Sequence, residues 1–198
     1  MAESKKIYLN GDFVGEYTPT GDNDTDIELC VRLLREKGLY PETTLQQGMF
    51  RQAVSFATTA SYLYNRDLTK TPRNGLSVAP FVVNSAFALE IYLKTLGELH
   101  SARLRGHDLL ELFDALPQEA HRALQQNFGK CKWQCGIAEM PDFRKALADM
   151  RHAFVEWRYL YEKERSSEVR FAPVIFVLEA LHETCKALVQ CKSTSQVQ

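Results

Sequence analysis

Arg103, Arg105 and His107 crowd one short stretch, Arg-Leu-Arg-Gly-His, which ends immediately before Asp108 and an apolar segment. Permanent cations beside a titratable imidazole are the side chains that recognise a phosphate. A helix is predicted from Leu109 to Leu116, and the amides of its first turn would add partial positive charge. The plainer reading is that Asp108 or His107 caps this helix and the arginines are solvated, since short arginine clusters are common on surfaces. Arg151, His152 and Arg158 add cationic residues later in the chain. The phosphate- or RNA-binding candidates are therefore Arg103, Arg105, His107, Arg151 and Arg158. For proton transfer or charge stabilisation the candidates are His107, His152 and Arg158.

A second group is ionic. Glu90 and Lys94 are four residues apart, as are Arg158 and Glu162, so each pair shares a helix face. Packing of the two helices would let Glu90 meet Arg158. The structural reading is an ion network that sets helix register, because buried charges are paired. The functional reading is an anion site using Arg158. Cys131-x3-Cys135 invites a zinc site, with Cys185 and Cys191 as the further ligands. Structural zinc uses tighter paired spacings, so reduced thiols and no metal are expected. Tyr62, Tyr64, Trp157, Tyr159 and Tyr161 could stack bases. At helical spacing such aromatics belong to a core. No Gly-rich phosphate loop, Ser-His-Asp ordering signature or paired-carboxylate motif stands out, and no cofactor is expected.

These residues need elements to hold them. Lys6–Leu9 and Phe13–Tyr17 flank Asn10-Gly11-Asp12 and predict a β-hairpin with a type I′ turn. Helices are expected over Thr25–Lys37, capped by Asp24 or Thr25 and stopped at Gly38, and over Thr44–Arg66. The segment Val78–Ala102 is apolar enough for the centre of a bundle. Shorter helices follow over Leu109–Leu116 and from Pro117 to Phe128. A long helix starts at Pro141-Asp142 and reaches Glu162, and the last covers Ala172–Val189. Residues 1–77 form a hairpin with the first helices, packed on the bundle. Residues 78–191 form the bundle core, and 192–198 a disordered tail. The fold class is mainly α, an antiparallel helical bundle with a small N-terminal hairpin.

The 198 residues carry 24 basic and 25 acidic side chains, a net charge of −1, so any site for an anionic partner must be local. Five cysteines, an odd number, and the lack of a secretory leader argue against a disulfide framework. No apolar run approaches the roughly 20 residues that span a bilayer. A cytoplasmic protein without membrane attachment is expected.

Three blocks occur in order: Ser85-Ala86-Phe87-Ala88-Leu89-Glu90-Ile91-Tyr92-Leu93-Lys94, then Gly106-His107-Asp108-Leu109-Leu110-Glu111-Leu112-Phe113, then Phe154-Val155-Glu156-Trp157-Arg158-Tyr159-Leu160-Tyr161-Glu162. Together they resemble the HEPN family of helical domains over about residues 78 to 190. The resemblance implies an antiparallel bundle, a homodimer, and a place in bacterial toxin–antitoxin or antiphage systems. Active HEPN proteins cleave RNA without metal through an Arg-x(4–6)-His motif. His107 follows Arg103 with a spacer of three, and His152 follows Arg144 with a spacer of seven. His100, His121 and His182 have no arginine at the required distance. Where the motif belongs, the chain has Arg151-His152, and adjacent helical residues point about 100° apart. The implied function is therefore a non-catalytic, HEPN-like regulatory module that binds RNA, a nucleotide or a protein. One alternative is a divergent metal-independent endoribonuclease in which these residues converge. Another is an interaction module whose hairpin adds strands to a partner's sheet.

Overall fold

The computed structural model describes residues 3–40, 43–128, 142–151, 157 and 170–195. The chain is mainly α-helical, with a two-stranded antiparallel hairpin near its N-terminus. It divides into two compact units, residues 1–43 and 44–198.

In the first unit, β1 (Lys5–Leu9) pairs antiparallel with β2 (Asp12–Tyr17). Leu9 faces Asp12 across a two-residue turn whose residues, Asn10 and Gly11, both have positive φ, 53° and 95°. That is the backbone a type I′ turn requires. Tyr8 pairs with Phe13 but Ile7 with Gly15, so Val14 is an extra residue in β2. This bulge goes with a buried Val14 side chain. Helix α1 (Asn23–Glu36) starts two residues earlier than expected. Asp22, not Asp24 or Thr25, caps it by accepting hydrogen bonds from the Thr25 amide at 2.9 Å and hydroxyl at 2.6 Å. Lys37 Nζ donates to the Val14 carbonyl and ties α1 back to the hairpin.

In the second unit, α2 (Leu45–Leu63) opens on a reciprocal capping box between Thr44 and Gln47. It ends earlier than Arg66, in a π-helical turn over Tyr64–Leu68. Asp67 in that turn holds the following loop: its carboxylate takes Arg66 in a bidentate pair and the Ser77 hydroxyl, and its carbonyl takes the Asn74 amide. A 3-10 turn, Gly75–Ser77, leads into α3 (Val78–Leu99). α3 is the core helix: Phe81, Val82, Ala88, Leu89, Tyr92, Leu93 and Leu96 are all buried. It packs mainly on α2 and on the last helix, α7 (Phe171–Ser195). Between them come α4 (Leu109–Asp114), α5 (Gln118–Phe128) and α6 (Phe143–Met150).

Two boundaries differ from expectation for reasons of packing. The division expected near residue 77 falls between Thr43 and Thr44, because α2 lies along α3 and belongs to the bundle. The tail expected from residue 192 is helical to Ser195, with no Gly or Pro between Val189 and Ser195 to stop α7. The long helix expected from Pro141-Asp142 to Glu162 is described over α6 and at Trp157, which is helical and buried in the bundle core; its residues 152–156 and 158–162 lie outside the described residues. By length and composition Gly75–Leu99 suffices to cross a membrane, contrary to the expectation that no run comes close; in this bundle half of its apolar window is buried.

Candidate phosphate-binding site

The site begins where α3 stops. Expected to run to Ala102, α3 ends at Leu99 because the chain reverses over its last turn, with Ser101 at φ 60°. The amides of His100 and Ala102 both donate to the Gly97 carbonyl, at 2.9 and 2.8 Å. The reversal needs a bare backbone at Gly97. A Cβ there would stand 2.6 Å from the Ala102 carbonyl oxygen and 2.8 Å from Leu104 Cγ. The basic turn is thereby folded back towards α3.

Two adjacent side chains then fasten the turn in different directions. His107 Nδ1 lies 2.9 Å from Glu90 Oε1 on α3, and the same oxygen accepts from Lys94 Nζ at 2.8 Å. A carboxylate only accepts, so Nδ1 carries the proton of this bond. The Glu90 side chain is 14% exposed and that of His107 is 84% exposed, which leaves Nε2 to water. Asp108 faces the other way. Its Oδ1 accepts from the Leu110 and Glu111 amides at 3.0 and 3.1 Å, capping α4, and its Oδ2 takes Nε of Arg151 at the end of α6. Arg151 Nη2 also lies 3.7 Å from Glu111.

This geometry sorts the expected residues. Arg103, Arg105 and His107 share one exposed turn. Glu90 and Lys94 stand beside it and support His107. Arg151 is engaged by Asp108 and Glu111. The α4 amides expected to attract an anion are taken by Asp108. His152, Arg158 and Glu162 lie outside the described residues, as do Cys131, Cys135, Tyr159 and Tyr161. Among the described residues no group of His, Cys, Asp and Glu is arranged to hold a metal. Cys185 is buried and Cys191 exposed. Tyr64 packs on Phe81 and Phe171 in the core, whereas Tyr62 is exposed under the Arg66 guanidinium.

Long-range pairs escaped sequence reasoning. The Tyr92 hydroxyl meets His182 Nδ1 at 2.8 Å, and Phe50 packs on both rings. Burial pushes the Tyr92 phenol up and lowers the His182 imidazole below its ordinary value. Arg144 pairs with Asp114 at 2.8 Å. A cleft of about 280 Å³ between α6 and α7 carries Lys145, Asp149 and Arg170. No protein-family model matches the chain, and no match is found among curated proteins or solved structures.

Asp108 gives the site an acid dependence. Burial opposes its ionisation, but the Arg151 guanidinium and the Glu111 and Leu110 amides outweigh it and hold the carboxyl below its ordinary value. Its contribution is thus present above the ordinary carboxylate range and is lost as the pH falls through the depressed folded-state value. Asp108→Asn keeps a capping side chain and loses the charge that faces Arg151. The expected cost is about 1 kcal/mol at pH 7, shrinking as the pH falls towards 3. Urea unfolding of both proteins at several pH values checks this; a difference independent of pH would assign the loss to packing.

Proposed function

We propose that the chain is a HEPN-like, non-catalytic regulatory module that binds RNA or a nucleotide through the Arg103–His107 turn. The observation that carries this reading is the turn itself. Two exposed arginines and an exposed imidazole stand together, and their scaffold is held by Glu90 on one side and by the Asp108–Arg151 pair on the other. The HEPN resemblance supports it through the order of its motif blocks on a helical bundle, and brings with it a homodimer and a role in a bacterial toxin–antitoxin or antiphage system. Light scattering after size exclusion tests the dimer.

Phosphate contacts of this kind bind without reading sequence and weaken with salt. Arg103→Glu with Arg105→Glu is therefore expected to weaken filter-bound RNA at least about tenfold at low salt, without loss of helical content. Unchanged retention would remove the turn from RNA recognition. Performed in EDTA with end-labelled RNA, the same experiment separates binding from cleavage, since a module that only binds leaves the label at full length.

A further inference from the structure

We propose that protonation of His107 strengthens the grip of the Arg103–His107 turn on RNA phosphodiesters, so that binding is regulated by pH. This rests on the phosphate-binding reading and names how that site is controlled.

Glu90 Oε1 is bound by Lys94 Nζ and His107 Nδ1 together. With His107 neutral, the charges of Glu90 and Lys94 cancel, and the turn itself offers an anion Arg103 and Arg105. Protonation leaves the Nδ1–H bond to Glu90 in place and puts the new proton on Nε2. That nitrogen is on the side of the ring away from the half-buried carboxylate, in a side chain that is 84% exposed. The turn then presents a third cationic donor, already oriented by Glu90. A donor held in place before the ligand arrives loses little freedom on binding.

Charged groups stand near the turn on several elements. On α3 they are Glu90 and Lys94; on the turn, Arg103 and Arg105; at the start of α4, Asp108 and Glu111; at the end of α6, Arg151. Carboxylates titrate below about pH 5 and lysine and arginine above about pH 10, leaving imidazole as the group that changes charge near neutrality. A phosphodiester keeps its single negative charge throughout. If the bound phosphodiester raises the imidazole pKa by about one unit, affinity rises about tenfold on acidification.

The test is fluorescence anisotropy of the full chain with a labelled oligouridylate bearing hydroxyl ends, at fixed ionic strength, from pH 8 to 5.5. The expected result is affinity rising about tenfold towards pH 5.5, and a His107→Gln protein whose affinity does not rise. A second readout does not depend on that variant folding: the His107 Cε1–H resonance of the native protein should titrate at higher pH with the oligonucleotide than without it. A pH dependence that persists in His107→Gln, or a His107 titration unmoved by the oligonucleotide, overturns the switch and leaves the binding reading standing. Absence of binding at every pH overturns both.

Discussion

Gly97→Ala is expected to lower the unfolding free energy by about 1–3 kcal/mol. In an open helix this substitution stabilises by up to about 1 kcal/mol, because alanine is the better helix former. Here the added methyl would stand 2.6 Å from a backbone oxygen, that of Ala102, and 2.8 Å from Leu104 Cγ. Leu104 has side-chain freedom to move; the Ala102 carbonyl belongs to the same residue whose amide bonds back to Gly97 at 2.8 Å. Relief of the clash therefore breaks the reversal itself. Overpacking costs about 1–3 kcal/mol and a lost hydrogen bond about 1 more, enough to reverse the propensity gain. Urea unfolding followed by helical circular dichroism reads the effect. An equal or higher midpoint would mean that the reversal yields freely. Because the same reversal carries Arg103 to His107, weaker RNA retention should accompany the loss of stability.

Phe81→Ala should cost more, about 3–5 kcal/mol, the usual range for removing a fully buried phenylalanine. Phe81 has no exposed surface, and its ring centroid lies 6.0 Å from that of Tyr64 and 5.3 Å from that of Phe171. It thus joins the π-helical turn after α2, the core helix α3 and the start of α7. A domain stable by about 5–15 kcal/mol would lose a large share of that stability. Tyr62→Ala is the matched control: it removes an aromatic that is 58% exposed and should change stability by no more than about 0.5 kcal/mol. Similar losses for the two would mean that Phe81 is not the joint it forms here.

Local chemistry was legible in the residues. Asn10-Gly11 required positive φ at both turn positions and has it. Gly38, expected to end α1, sits at φ 65° where Leu39 donates back to the Leu34 carbonyl. The apolar density of α3 announced its central place. In each case the cause lies within a few residues of the effect. The site shows where such reasoning stops. Glu90 meets His107 seventeen positions on, Asp108 meets Arg151 forty-three on, and Tyr92 meets His182 ninety on. Helical spacing says which residues share a face, not which face of another element they meet. Facial spacing places Glu90 beside Lys94, but only the chain reversal over Gly97 brings His107 to it. The reversal depends on a missing Cβ, and a lone glycine in a helical pattern does not say what will press against it. The division at Thr44 has a related cause: α2 is separated from α3 by a loop that resembles a linker in composition, yet Asp67 binds that loop from within.

The single oxygen of Glu90 that serves both Lys94 and His107 also bears on how this site changes in descent. Lys94 or His107 can be replaced alone, since the carboxylate retains the other as partner. Glu90 cannot be replaced first without leaving the half-buried Lys94 ammonium and the His107 Nδ1–H without this partner at once. Substitutions should therefore accumulate in a fixed order, with position 90 changing last. Positions 90, 94 and 107 are thus coupled through one oxygen, and the glycine at 97 permits their meeting.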